Sequence, residues 1–311
     1  MSRSRQLVVM MSALVTLVVT ACGGSGAEPA EAPAEATRVV EHAMGSTEIV
    51  GTPERVVVLD TGELDSVLAL GVTPVGAVGA DASSGLQSYL ADRAQGVDVV
   101  GTIADPNLEA IAALQPDLIL SSKIRHEDIY GQLSGIAPTV FAEKVGVVWK
   151  ENLLLAGEAL GRRPDAERIL AEYAQQAQQT GQGFGDPSQL EVSMVRFMPD
   201  GIRLYGQGSF IGTILDDAGF ARPAPQQVDK TFVEASPEQL GLAEGDLIFY
   251  AGFGPNGGAE QARLTGGPLW QQLGAVSGGR AHAVPDDLWY LGIGPIAAGQ
   301  VLDQLATYAP A

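Results

Sequence analysis

Cysteine occurs once in 311 residues, at position 22. A lone cysteine excludes an intrachain disulfide and any zinc site built on cysteines. Histidine occurs only at His42, His126 and His282, far apart and without metal-ligand spacing. Lysine is confined to Lys123, Lys144, Lys150 and Lys230, and the chain carries a formal charge of −19. Nucleic acid needs a basic footprint, so it is excluded as a partner. An anionic small ligand is not excluded, because a few local arginines decide that. No GxSxG nucleophile elbow occurs. One GxGxxG pattern, Gly252 to Gly257, follows a late strand, contains Pro255 and lacks the acid expected about 20 residues on. It reads as a flexible loop, and nothing else points to an enzyme.

The lone cysteine is informative by its place. Arg3 and Arg5 precede a largely apolar run, Leu7 to Thr20, and Val19-Thr20-Ala21-Cys22 puts small residues before the thiol. This is the layout of a secretory signal over residues 1–21. It also resembles a bacterial lipobox, which implies cleavage before Cys22 and a lipid on its sulfur. Gly23 to Ala36 holds only small residues, proline and glutamate, and cannot bury a core. Residues 22–50 are therefore expected to form a lipid-anchored tether on the extracytoplasmic face of the cell membrane. No later segment is long and apolar enough to span a bilayer.

Composition and length allow two domains. Pro164 to Thr180 reads as one helix: Pro164 suits its first turn, Asp165 and Glu167 suit its amino-terminal dipole, and Ala166, Ile169, Tyr173 and Ala177 form a buried stripe. At 1.5 Å per residue it is a rod of roughly 25 Å. Gly181 and Gly183 are expected to stop it. The same order of elements lies on either side. Val56 to Leu59, Glu63 to Leu70, Pro74 to Gly79, a short helix from Pro106, Leu118 to Leu120, a helix through Leu133 and Thr139 to Phe141 make the first half. Val192 to Phe197, Ile202 to Tyr205 after a Pro-Asp-Gly turn, Thr213 to Asp217, Leu247 to Tyr250, a helix through Gln271 to Leu273, Ala281 to Val284 and a final helix from Gly294 make the second. Alternation of this kind predicts mostly parallel sheets with crossover helices. Glu109 and Glu238 match across the halves, each eight residues before Asp-Leu-Ile and just after a proline.

RVVVLD…LDSVLALGVTPVG, PNLEAIAALQPDLIL and SPEQLGLAEGDLIFY, taken together, resemble the solute-binding proteins of iron-siderophore and vitamin B12 type ABC importers, most of all the ferric-dicitrate and siderophore lipoproteins. The similarity runs from about Arg55 to Ala309. It implies a class III periplasmic-binding-protein fold: an α/β lobe at 51–163, a rigid spine helix at 164–181 and a second α/β lobe at 182–311, with ligand in the cleft and little closure. It also implies that the matching glutamates, Glu109 and Glu238, meet arginines of a dimeric ABC permease.

Ligands of open α/β sheets gather beyond the carboxyl ends of the strands. Those ends here include Asp60-Thr61, Asp81 to Ser84, Arg125, Arg196, Tyr250 and Trp289-Tyr290. Arg125 and Arg196, one per half, offer bidentate contact to anionic oxygens. Tyr250 and Trp289 offer flat walls, with Trp149, Tyr205, Tyr290 and Phe253 as lesser aromatic candidates. Catecholate-binding members of the resembling family cluster three arginines, and no third is evident here. The expected function is capture of a ferric siderophore by a monomeric receptor with no catalytic residue, no metal ligand and no cofactor of its own. The alternatives are a cobalamin or haem binder, with His126, Tyr205 or Tyr250 as axial ligand, and a nucleotide-dependent enzyme resting on the glycine loop.

Overall fold

The computed structural model describes residues 36–80 and 85–310. Cys22, the signal segment and the tether up to residue 35 lie outside these, as do Asp81 to Ser84. The body begins earlier than the sequence suggested. β1 (Thr37–His42) and β2 (Gly45–Val50) form an antiparallel hairpin within the stretch expected to be tether, because Val40 and Ile49 alternate inward and are buried.

The first sheet contains β3 (Val56–Val58), then α1 (Thr61–Ala69), β4 (Gly76–Gly79), β5 (Asp98–Thr102), α2 (Leu108–Ala113), β6 (Leu118–Ser122), α3 (Lys123–His126), α4 (Tyr130–Ser134) and β7 (Thr139–Ala142). Its strands are all parallel in the order β5-β4-β3-β6-β7. Val56, Val57 and Val58 are wholly buried, as expected of a parallel strand covered on both faces.

α5 (Trp149–Leu160) ends at Gly161 in the left-handed conformation, φ 68°, and α6 (Arg163–Gly183) follows. α6 is the expected spine: Ala166 packs in the core of the first lobe, and Tyr173 and Ala177 in that of the second. Of the two glycines expected to stop it, Gly181 does not, and the helix ends at Gly183. Gly181 is buried where the helix passes the end of a later helix, and a Cβ there would collide with the Ala218 carbonyl oxygen.

The second lobe holds β8 (Val192–Met198), β9 (Gly201–Tyr205), α7 (Phe210–Asp217), β10 (Phe232–Ala235), β11 (Leu247–Gly252), α8 (Gly254–Thr265), α9 (Pro268–Gln271), α10 (Gly274–Ser277), β12 (Ala281–Ala283), α11 (Asp286–Trp289) and α12 (Pro295–Ala306). The order β10-β9-β8-β11-β12 is that of the first sheet, with β9 alone reversed by its tight hairpin. The glycine loop begins α8 rather than being flexible. A Cβ at Gly257 would lie 2.6 Å from the Phe197 carbonyl oxygen, so close backbone packing accounts for that glycine. The helix expected through Gln271 to Leu273 is broken into α9 and α10 at Leu273, whose backbone is extended.

Two clasps fix one lobe against the other. On α5, the Trp149 indole donates to Thr213 Oγ1 (3.0 Å) and Lys150 pairs with Asp217 (2.6 Å), which also accepts from the Tyr173 hydroxyl (2.6 Å). On the other side, Asp65 of α1 is buried against the start of α12 and accepts from the amides of Ile296 (2.8 Å) and Ala297 (2.9 Å) and from the Tyr89 hydroxyl (3.0 Å). Burial pushes the Asp65 carboxyl up to about 7, against the pull of those donors. Ser88 donates to Asp287 of α11 beside this second clasp.

Candidate functional site

A cleft of about 200 Å³ opens where both lobes present the carboxyl ends of their strands. Arg125 and Val147 border it from the first lobe, and Tyr205, Ser209, Tyr290 and Ile293 from the second. α7 begins here. Ser209 caps it by accepting from the Gly212 amide (3.0 Å), and the first-turn residues Phe210 and Ile211 line the cleft. The amino end of a helix favours negative charge. A larger hollow of about 470 Å³ lies at the opposite, amino-terminal ends of β11 and β12, lined by Phe184, Leu190, His282 and Tyr308. Its arginine, Arg280, is turned to the Asp246 carbonyl, so it lacks the convergent polar groups of the cleft.

The two expected arginines are placed very differently. Arg125 follows β6 on α3, and its side chain is 40 % exposed. Its Nε donates to Asp60 Oδ2 at 2.9 Å, and neither terminal nitrogen has a hydrogen-bond partner among the described residues. Asp60 is buried at the start of α1, where it also caps the helix. Arg196 is 4 % exposed and does not line the cleft. Its Nε and Nη2 grip Asp286 (both 2.6 Å), its Nη1 donates to the Tyr205 hydroxyl (3.0 Å), and its guanidinium lies over Phe253 and Tyr290. Burial is the strongest single influence and works against its charge, but Asp286 and Tyr205 together outweigh it and hold the pKa above its ordinary value. Arg196 is therefore a floor beneath Tyr205 rather than an open contact.

The expected aromatic walls are displaced. Trp289 is fully buried, stacked on Phe249 at 4.8 Å, with its indole donating to Gln304. Tyr250 points to the other face of the second sheet and packs against Trp270 at 4.9 Å. Tyr250 is not offered to the cleft, whereas Trp289 lies in the cleft wall as expected but with no exposed surface. Strand parity is the cause: Phe249 and Ala251 share the cleft-side core, so Tyr250 between them faces away. Tyr205 and Tyr290 take the expected place. The Tyr290 hydroxyl lies 2.8 Å from the Phe249 carbonyl and 2.9 Å from that of Val195. Arginine has no acceptor, so the Tyr205 oxygen accepts from Arg196 and its own O–H remains for the cleft. His126 is buried with Nδ1 on Ser121 Oγ and Nε2 on the Ile103 carbonyl (both 2.7 Å), and burial holds its pKa low. Both its nitrogens are taken, which removes it as an axial ligand.

Glu109 and Glu238 are both exposed, one near the start of α2 and one in the 3-10 turn Pro237–Ala243. Capping is done by their neighbours. Asn107 accepts from the Ala110 amide (3.0 Å), and Gln239 reaches back to the Ser236 amide (3.1 Å). Neither glutamate is in an ion pair among the described residues.

Residues 56–288 match the family described as periplasmic binding protein. The probable siderophore-binding lipoprotein YfiY of Bacillus subtilis is 38 % identical over 308 residues, 95 % of either chain. The Fe(3+)-citrate-binding protein YfmC of the same organism is 30 % identical over 293 residues, covering 92 % of this chain and 91 % of its own. Among solved structures, Staphylococcus aureus SirA complexed with staphyloferrin B superposes with a TM-score of 0.79 at 34 % identity, over 87 % of this chain and 98 % of that one.

Proposed function

The chain belongs to the periplasmic binding protein family, and on that premise we propose that it is the extracytoplasmic receptor of an ABC importer, capturing a ferric siderophore and delivering it to the permease. The observation that carries this is convergence. Arg125 from one lobe, and Tyr205 with the amino end of α7 from the other, present donors to the same cleft. Such a set suits the anionic oxygens of a chelate whose iron is already fully coordinated, so the receptor itself needs no metal ligand. The names of YfiY, YfmC and SirA's bound ligand support the siderophore class. Cobalamin and haem find less here: His126 is spent within the fold, the Tyr205 oxygen already accepts from Arg196, and Tyr250 faces away.

Titrating the purified protein with ferric siderophores, ferric citrate, cobalamin and haem, followed by tryptophan fluorescence, tests the reading. Arg125→Ala removes a charge-assisted contact and is expected to weaken capture of an anionic chelate about ten- to hundredfold. Unchanged affinity in a folded variant would make Arg125 a surface charge held by Asp60.

Cys22 lies outside the described residues, and its role is part of the same proposal: a lipid on its sulfur holds the receptor at the membrane. Cys22→Ala is expected to leave an unlipidated precursor, visible by mass. A wild-type protein whose first residue lies downstream of Cys22 contradicts the anchor.

A further inference from the structure

α1 opens with Asp60-Thr61-Gly62-Glu63, the spacing of a capping box whose last acid would ordinarily reach back to the helix start. It does not do so here. Glu63 is 6 % exposed, and among the described residues neither carboxyl oxygen finds a hydrogen-bond partner of full geometry. Polar side chains near it are Ser121 of β6 and Asn152 of α5, neither bonded to it. The charged groups in reach are Asp60 and Arg125. His126 of α3 is tied up as a neutral ring, and Asp65, further along α1, is turned to the start of α12. A buried carboxylate with no donor is far more costly than a neutral carboxylic acid in the same place.

Resting on the reading that Arg125 contacts the ligand, we propose that Glu63 is a neutral acid whose proton keeps Arg125 available to the cleft, which makes Glu63 a positioning residue for anion capture. With Glu63 protonated, Asp60 alone balances Arg125, through Nε, and the terminal nitrogens stay free for an anion. With Glu63 ionised, two buried carboxylates would stand behind one guanidinium. They would draw it inward and set a net negative charge behind the binding edge. The surroundings favour the neutral form: burial first and the Asp60 charge second raise the Glu63 carboxyl to about 8, while its own amide and Arg125 pull the other way without prevailing.

The test compares wild type with Glu63→Gln, which keeps the shape and removes the titration. Using ferric citrate as probe, the dissociation constant is measured from pH 6 to pH 9. If only the protonated form binds, wild type weakens about tenfold between pH 7 and pH 9. Glu63→Gln should show no such step, and the ratio of the two proteins cancels the chelate's own titration. An equal alkaline loss in both proteins overturns the proposal. A second readout needs no ligand and no variant. The Arg125 Nε–H resonance in the free wild-type protein should shift with a midpoint near pH 8. A resonance that stays fixed through that range also overturns it. If no ferric chelate binds at any pH, the functional reading fails, while the resonance still decides whether Glu63 governs Arg125.

Discussion

Replacing Asp286 by alanine is expected to cost about 3–5 kcal/mol of stability, because it strands a buried guanidinium. Arg196 cannot shed its charge, and with Asp286 gone its one remaining side-chain hydrogen-bond partner among the described residues is the Tyr205 hydroxyl. For a body of this size the melting temperature should fall by roughly 10 °C. The companion Arg196→Met removes the charge as well, so the double variant should regain most of the loss. If Asp286→Ala melts like wild type, water or another acid has replaced the carboxylate and Arg196 is not sealed in. Ligand affinity should fall with the single variant too, since Arg196 fixes the hydroxyl that faces the cleft.

The second large effect concerns transport. Reversing both exposed glutamates, Glu109→Lys with Glu238→Lys, is expected to abolish uptake and leave ligand titration unaltered. Neither carboxylate borders the cleft, and neither is consumed by an ion pair among the described residues. The Ser236 hydroxyl, with the residue's own amide, holds the Glu238 carboxyl below its ordinary value, which favours the charged form. Exposed pairs of this kind steer and register an encounter rather than supply bulk affinity. Two of them at a fixed spacing would gain by simultaneous engagement if a two-fold permease presents matching partners. Either single reversal should therefore impair uptake less than the double. Normal transport by the double variant would return the glutamates to ordinary surface charge, and lost ligand binding would place them in the cleft.

Much of the scaffold was legible because it rests on local pattern. The wholly buried Val56 to Val58 run, the Leu118 run and the spine's apolar stripe each announce their element, and the matched order of the halves reappears as one strand order in both sheets. The misses have local causes. β5 reads Asp-Val-Val-Gly-Thr, too short and too mixed to stand out, and the amino-terminal hairpin offers only Val40 and Ile49 as fully buried residues. α8 looked like a loop because its first turns hold Gly254, Pro255, Gly257 and Gly258, although a proline in the first turn is compatible with a helix. The site was legible only in outline. Strand ends gave Arg125 its place, but the face of Tyr250 depended on parity along β11. The fate of Arg196 depended on Asp286, 90 residues away, which no local spacing reveals. The Asp60 to Glu63 spacing was visible, and it is the signal that could have directed attention to Glu63.

The two clasps bear on how cargo is held. With Lys150 and Trp149 fastened to α7 on one side, and Asp65 fastened to α12 on the other, the contacts between the lobes oppose a hinged closure over the load. Small-molecule sites commonly enclose about 300–1,000 Å³, more than the 200 Å³ of this cleft, so a bulky chelate is expected to protrude from it. A protruding chelate stays open to the medium while bound. Competing chelators could then draw on the iron without waiting for the protein to open, and the importer could touch the cargo before it leaves its carrier.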